Sequence, residues 1–198
     1  MVEAIAYLYR MEEMIHFILQ FGDFNEQQMA IIRSSVQERT IRKGAYFSEA
    51  TKVPREVGFV VEGVMRGYYY DHKGKEITRC FIAESNLVAD YVNFEANVAS
   101  LEYLQACTDC RLMIFPKKNW EDLSGKIPGW DHAKNKMVQQ CMYLKSRKYP
   151  VASQDATTRY LEFLDNYPTL ANRVALSYIA SYLGVTQQSL SRIRKNVR

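Results

Sequence analysis

The side chains best suited to molecular recognition are concentrated near the carboxyl end of the sequence. The stretch SYIASYLGVTQQSLSRIRK covers residues 177–195, and its second half carries glutamines, serines and arginines. Glutamine can form a paired hydrogen bond with adenine in the major groove of double-stranded DNA, and arginine can do so with guanine. Hydroxyl groups and basic side chains suit phosphate oxygens. The residues predicted to contact DNA are Thr186, Gln187, Gln188, Ser189, Ser191, Arg192, Arg194 and Lys195.

The charge distribution singles out the same end of the chain. The net charge is +4, yet residues 166–198 contain five basic residues and no aspartate or glutamate. That segment therefore carries +5 and the preceding residues sum to −1. A near-neutral body with a basic end indicates a polyanionic partner for the end alone. On charge alone, a basic tail that only keeps the protein soluble remains an equal alternative.

The apolar residues of the same stretch are spaced as two short helices that cross. They are Ile179, Ala180, Leu183, Val185, Leu190 and Ile193. Gly184 can adopt the left-handed conformation that ends a helix, and the hydroxyl of Thr186 can cap the next one. This pattern is typical of a helix-turn-helix. A helical hairpin with a purely structural role has no reason to exclude acids from one exposed face, so the pattern favours sequence-specific DNA binding.

Other reactive side chains show no catalytic or metal-binding spacing. Cys80, Cys107, Cys110 and Cys141 are too few and too scattered for a disulfide scaffold. Cys107 and Cys110 form a C-x-x-C, but in a strand residues three apart point to opposite faces, so structural cysteines are favoured over a redox pair. The three histidines, His16, His72 and His132, are far apart. The sequence therefore predicts no enzyme, no metal and no cofactor.

The chain ahead of the terminal motif is predicted to begin with two helices, which are followed by a β-rich region. Apolar residues at helical spacing predict one helix up to about Phe21 and a second from about Asn25 to Ile32. Short β-rich runs between turn residues predict a small sandwich or barrel over residues 37–116. Residues 71–74 are predicted to form a hairpin turn. Corners or close backbone approaches are expected at Gly44, Gly58, Gly63 and Gly67.

A long helix is expected after Pro116. Trp130, Met137 and Leu144 recur every seven residues, with Ala133 and Cys141 on the same stripe. A seven-residue repeat suits a seam between two helices, so Trp130, Met137, Cys141 and Leu144 are predicted dimer contacts. A helix packed on its own domain fits the short run equally well. A further helix is expected to begin at Ser153 or Asp155, which places the domain boundary near 146–154.

The whole order of elements resembles the family of the cyclic-AMP receptor protein and FNR, the Crp/Fnr transcription regulators. The resemblance rests on IASYLGVTQQSLSRIRK at the end and on GFVVEGVMRGYYYDHKGKEITRCFIAESNLVADY in the β region. It implies an α+β fold: an N-terminal β-roll of the cyclic-nucleotide-binding type (a double-stranded β-helix) with flanking helices over 1–128, a dimerisation helix over 129–149, and a winged-helix-type helix-turn-helix over 150–198.

The resemblance also implies partners and a mode of DNA binding. A homodimer would set the second helix of each motif into a major groove, on an inverted repeat whose halves lie about 34 Å apart. The positions that read bases correspond to Gln187, Gln188 and Arg192. RNA polymerase is the further partner that the family implies.

Without an apolar run of about 20 residues or a basic-then-apolar leader, a cytoplasmic protein is expected.

The sequence lacks the residues that bind the effector in the family. Relatives that bind cyclic nucleotide carry a Gly-Glu pair followed by Arg and Ser or Thr, and these positions correspond to Ala89, Asp90, Ser100 and Leu101. A cyclic phosphate needs a fixed guanidinium or clustered N–H groups, so cyclic AMP is not the predicted ligand. The oxygen-sensing branch uses an N-terminal cysteine cluster, and no cysteine precedes Cys80.

The sequence leaves open whether the β-roll binds a ligand and whether the terminal helices bind DNA. Any other small ligand is expected in the β-roll, near Arg66, Tyr68, Arg79, Asp90, Tyr91 and Ser100. A regulator without a ligand fits the sequence almost as well. The alternative function is an effector-binding β-roll whose terminal helices mediate protein contacts rather than DNA binding.

Overall fold

The computed structural model describes residues 2–147 and 154–197 as two helices, eight strands and a further series of helices. The N-terminal helices are α1 (Val2–Leu19) and α2 (Glu26–Ser34). The strands are β1 (Gln37–Ile41), β2 (Tyr46–Ser48), β3 (Glu56–Glu62), β4 (Met65–Tyr70), β5 (Glu76–Ile82), β6 (Asn86–Val88), β7 (Tyr103–Ala106) and β8 (Cys110–Pro116). The later helices are α3 (Tyr91–Ala96) between β6 and β7, then α4 (Lys117–Lys126), α5 (Trp130–Arg147), α6 (Ala156–Asn166), α7 (Leu176–Leu183) and α8 (Gln187–Asn196), with a 3-10 turn at Leu170–Asn172.

The eight strands form two antiparallel four-stranded sheets that face each other as a β-roll. Their orders are β1-β8-β3-β6 and β2-β7-β4-β5. The space between the sheets is filled by fully buried apolar side chains, among them Val60, Met65 and Leu112. Successive residues of a strand point to opposite faces, so β3 places Val60 in this core and Val57 and Phe59 in a second core on its outer face. The strands span the predicted β region, residues 37–116.

The glycines of the roll stand where the sequence predicted corners and close approaches. Gly44 and Gly63 have φ of +85° and +102°, a region that side chains with a Cβ rarely enter. At Gly58 a Cβ would lie 2.8 Å from Cγ1 of Val88. The hairpin between β4 and β5 turns at residues 71–74, with Gly74 at φ +74°. These predictions are confirmed.

The N-terminal helices close one side of the roll. The predicted apolar stripe of α1 is buried, with Met14 1% and Ile18 2% exposed, against β3 and the helices that follow the roll. Asn25 caps α2: its side chain accepts the backbone N–H of Gln28, whose side chain in turn accepts the N–H of Asn25. Both helices begin and end close to their predicted limits.

The apolar stripe of α5 is part of this same core, which corrects the predicted dimer contacts. Trp130 is 0% and Met137 1% exposed, and the ring of Trp130 lies 5.4 Å from that of Trp120. The thiol of Cys141 donates to the carbonyl of Leu87, and Leu144 lines a small cavity shared with β5. Trp130 and Met137 are therefore filled positions of their own chain's core, while Cys141 and Leu144 are half-buried beside it. The exposed face of α5 instead carries His132, Lys136, Gln139, Met142 and Tyr143.

The terminal helices are packed against the roll. Asp155 caps α6 by accepting the N–H groups of Thr157 and Thr158, as predicted, whereas Ser153 and most of the predicted boundary near 146–154 lie outside the described residues. The ring of Phe81 on β5 lies 5.5 Å from that of Tyr182 on α7 and 6.0 Å from that of Phe163 on α6. One apolar cluster therefore joins β5 to the last helices. Residues 154–197 contain these helices and no strand.

None of the helices in the described part of the chain combines the length and the apolar character that a membrane span requires.

Candidate nucleic-acid interface

The turn between α7 and α8 has the local geometry that the sequence predicts for a helix-turn-helix. Gly184 ends α7 in the left-handed conformation, with φ +67° and ψ 32°, and the N–H of Val185 donates to the carbonyl of Ala180 at 3.0 Å. Thr186 begins α8 by accepting the N–H of Ser189 at 3.1 Å. Leu190 and Ala180 are both buried in one apolar cluster, which packs the two helices together. This part of the prediction is confirmed.

Replacing Gly184 by alanine is expected to lower the free energy of unfolding by about 1–2 kcal/mol, since a Cβ disfavours left-handed backbone. Gly184→Asn is the matched control, because asparagine tolerates this conformation, and it should cost less. Urea denaturation followed by circular dichroism measures both. Equal losses for the two variants would show that contacts with neighbours, rather than backbone conformation, determine the residue at 184.

The outward face of α8 presents the predicted DNA-contacting side chains together. Six of the eight are exposed, namely Thr186, Gln187, Gln188, Ser189, Arg192 and Lys195, and Ser191 and Arg194 are half-buried. The helix contains no acidic residue. Within residues 2–147 and 154–197, no carboxylate pairs with Arg192, Arg194 or Lys195, whereas most cations of the roll are paired. The face is therefore polar, basic and free of competing acids.

One basic residue of the C-terminal segment has a different role. Arg173 binds Glu84 through two hydrogen bonds, one of them Nη1 to Oε2 at 3.0 Å, and Glu84 also accepts the N–H of Gly63 at 2.8 Å. Burial alone would raise the pKa of Glu84, but these bonds outweigh it and hold the pKa below its usual value. Arg173 thus links the last helices to the roll and is not free to contact a polyanion.

A second link runs through a buried arginine on β4. Arg66 is 2% exposed, and its guanidinium lies 4.1 Å from the ring centre of Tyr68 and 3.7 Å from that of Tyr178 on α7. It also donates to Gln105 and Glu76. Next to it, Ser181 on α7 donates to the carbonyl of Glu76 and accepts the N–H of Thr78 at 3.0 Å. The helix-turn-helix is therefore held on β5 by polar bonds as well as by apolar packing.

The structure divides the six predicted effector residues between two places. Arg79, Asp90 and Tyr91 line the groove between the roll and α5, with Ser100 buried below. Arg66 and Tyr68 lie elsewhere, on the sheet face that α7 covers. On β4, Gly67 faces the groove side, 3.8 Å from a Glu102 oxygen when a Cβ is added, and Tyr69 lines a cavity there with Arg79 and Asp90. Arg66 and Tyr68 therefore do not line this groove, and the effector site itself stays a prediction.

The carboxylates that line the groove already accept hydrogen bonds from residues of the same chain. Asp90 accepts from Asn93 at 2.7 Å and from Ser100 at 2.6 Å. Glu102 accepts from Lys145 at 2.9 Å and from Arg79 at 3.5 Å. The nearby cations therefore have an acidic partner within the chain. An anion placed here would meet Asp90 without a free guanidinium to bind it.

Cys80, Cys107 and Cys110 are buried thiols, and Cys141 is half-buried. Cys107 lies in the turn after β7 and Cys110 is the first residue of β8, so the two are not both within one strand, and both are 1% exposed. Burial raises the pKa of Cys107 to about 12 and also raises that of Cys110. A protonated thiol is a poor nucleophile. In the described ranges, no three His, Cys, Asp or Glu side chains come together as a metal site.

Comparison with known proteins supports the fold. No family model matches the sequence, and no curated protein matches it. Among solved structures, FixK2 from Bradyrhizobium japonicum shares 17% identity with a TM-score of 0.68, over 82% of this chain and 84% of that one. CLP, the c-di-GMP-responsive global regulator of Xanthomonas campestris, shares 14% identity with a TM-score of 0.68, over 87% and 91% of the two chains.

A protein of Eubacterium rectale assigned to the Crp/Fnr family of transcriptional regulators gives the same result. It shares 16% identity with a TM-score of 0.64, over 88% of this chain and 83% of that one. These likenesses extend over the roll and the terminal helices together. The chain therefore has the fold of the Crp/Fnr regulators, a β-roll followed by a helix-turn-helix.

Proposed function

We propose that this protein is a sequence-specific DNA-binding transcription regulator that reads its site with α8. The observation that carries the proposal is the exposed face of α8, where glutamines, serines and unpaired cations stand together without an acid. Gln187, Gln188 and Arg192 are the proposed base-reading residues. Thr186, Ser189, Ser191, Arg194 and Lys195 are proposed to contact phosphates. The fold shared with Crp/Fnr regulators supports the same role.

The regulator is proposed to act as a homodimer on an inverted repeat. Two α8 helices related by a two-fold axis read half-sites about 34 Å apart. Of the predicted seam residues, Trp130 and Met137 are buried within one chain and Cys141 and Leu144 are half-buried, so a partner copy would contact the other face of α5. There Met142 is 46% and Tyr143 52% exposed, and Val92, which lines the same groove as Met142, is 58% exposed. RNA polymerase is the proposed partner on the promoter.

Binding to DNA can be tested by mobility shift with fragments selected from genomic DNA. Specific binding should weaken steeply as salt rises, because each neutralised phosphate contributes a slope of about −0.9 in log K against log salt. The alternative function, in which α7 and α8 contact proteins, predicts no specific binding even at low salt. That result would reject the regulator proposal.

Cyclic AMP is expected not to bind. The groove presents Asp90 and Glu102, and the nearby cations Arg79 and Lys145 already pair with Glu102. Bringing a phosphate to this groove would either break those pairs or leave like charges together. Titration calorimetry should show no heat at micromolar nucleotide. Binding at micromolar affinity or better would contradict this account of the groove.

A further inference from the structure

A second group of exposed cations lies on the turn of the β4–β5 hairpin, and one of them, Lys75, lines a groove with the start of α8. Lys73 and Lys75 are exposed, and neither belongs to an ion pair within the described ranges. Asp71, in the same turn, accepts the backbone N–H groups of both lysines at 2.8 and 2.9 Å. With His72 neutral, residues 71–75 carry a net charge of +1. Both ammonium groups face solvent.

The hairpin and the helix-turn-helix enclose one groove. Lys75 lines this groove of about 360 Å³ together with Ser177 on α7 and with Thr186 and Gln187 at the start of α8. Glu76 is the only carboxylate among its lining residues. Its negative charge is balanced by Arg66, which donates a hydrogen bond to it at 2.7 Å. The free charge of the groove is therefore that of Lys75.

The position of the hairpin relative to α7 is fixed. The hydroxyl of Ser181 is bonded to both the carbonyl of Glu76 and the N–H of Thr78, at 2.8 and 3.0 Å. Arg66, from the other hairpin strand, stacks on Tyr178. Since the two bonds of Ser181 lie within three residues of Lys75, the lysine moves with the helix-turn-helix rather than independently of it.

A helix seated in the major groove, about 12 Å wide, has a row of phosphates along each side. Groups that flank the first turn of such a helix face one of these rows. We propose that Lys75 and Lys73 contact the DNA backbone beside the half-site that α8 reads, so that the β-roll itself forms part of the DNA interface. This inference rests on the proposed function and adds a surface that lies outside the helix-turn-helix.

The variant K73Q/K75Q tests this contact. Both changes keep the backbone N–H groups that bond Asp71, so the turn is retained. Loss of one or two phosphate contacts per subunit should make the salt dependence of a dimer less steep by about two to four. Affinity should fall by an order of magnitude or more near physiological salt, equally for matched and mismatched sites, because phosphates carry no base information.

The matched control is K118Q/K126Q, which removes two exposed lysines from α4. That helix follows the Pro116 end of β8, whereas the Cys110 end adjoins Val64 and the terminal helices. The control should bind DNA as the unmodified protein does. If K73Q/K75Q gives the same salt slope and affinity as this control, the hairpin contact is refuted while the proposed function stands. If the unmodified protein binds no specific DNA, both fail.

Methylphosphonate substitution separates direct contact from general attraction. A neutral linkage placed just outside the half-site should weaken binding of the unmodified protein but leave K73Q/K75Q unaffected. Equal weakening of both proteins would mean that the lysines act only through long-range charge, which would overturn the proposed contact. Thermal melting of each variant confirms that the comparison is made between folded proteins.

Discussion

Replacing Arg192 by alanine is expected to weaken binding to the selected DNA site by about 1–3 kcal/mol per half-site and to relax the preference at one base position. The side chain is exposed on α8 without a carboxylate partner in the described residues, so its bidentate donors are free for a guanine edge. A dimer loses two such contacts, which corresponds to roughly 30-fold to 20,000-fold in affinity. Binding assays on the selected site and its single-base variants measure both effects.

Lys195→Ala is the matched control for this experiment. Lys195 is also exposed on α8, three residues further along, and is assigned to a phosphate. Its loss should weaken binding to all sequences alike and reduce the salt slope by about one per subunit. If Arg192→Ala behaves in this uniform way as well, Arg192 contacts the backbone and the assignment of base-reading residues is wrong.

Replacing Trp130 by alanine is expected to lower the free energy of unfolding by about 3–5 kcal/mol. The indole is fully buried between Phe24, Phe115 and Trp120, with ring distances of 6.1, 6.4 and 5.4 Å. Its Nε1 has no hydrogen-bond partner among the described residues, so the loss comes from the cavity and the lost contacts. Urea denaturation followed by far-ultraviolet circular dichroism gives the value.

Trp130→Phe is the comparison that identifies the cause. Phenylalanine keeps most of the apolar contact and removes no hydrogen bond, so it should cost markedly less than alanine. A side chain at a dimer seam would behave differently: its loss would dissociate the dimer and leave each chain folded. Sedimentation of Trp130→Ala as a folded monomer with unchanged unfolding free energy would restore the seam assignment.

Local conformations were predictable from the sequence because a few neighbouring residues determine them. Gly184 ends a helix since only glycine enters left-handed backbone at low cost. Thr186 and Asp155 cap helices through bonds to residues two or three positions away. The extent of the β-roll followed from strand-length apolar runs between turns. The exposed face of α8 followed from helical spacing once Leu190 was assigned to the core.

What the sequence could not give depends on contacts between distant residues. An apolar stripe on α5 shows that one face is buried, but a sheet, another helix or a second copy can bury it equally well. A charge count also includes Arg173 among the basic residues available to a polyanion. Its ion-pair partner Glu84 lies 89 positions earlier in the chain, so the local sequence does not reveal the pair. Arg66 was placed in a ligand pocket because nothing in β4 itself reveals that α7 covers that face.

Whether α8 reads the bases is tested most directly by selecting genomic DNA fragments with the purified protein and repeating the selection with Arg192→Ala. The account predicts an enriched inverted repeat whose half-sites are centred about one helical turn apart, with loss of preference at one symmetric pair of positions in the variant. Fragments enriched without any shared sequence, or a motif that the variant leaves intact, would contradict the assignment of α8 as the base-reading helix.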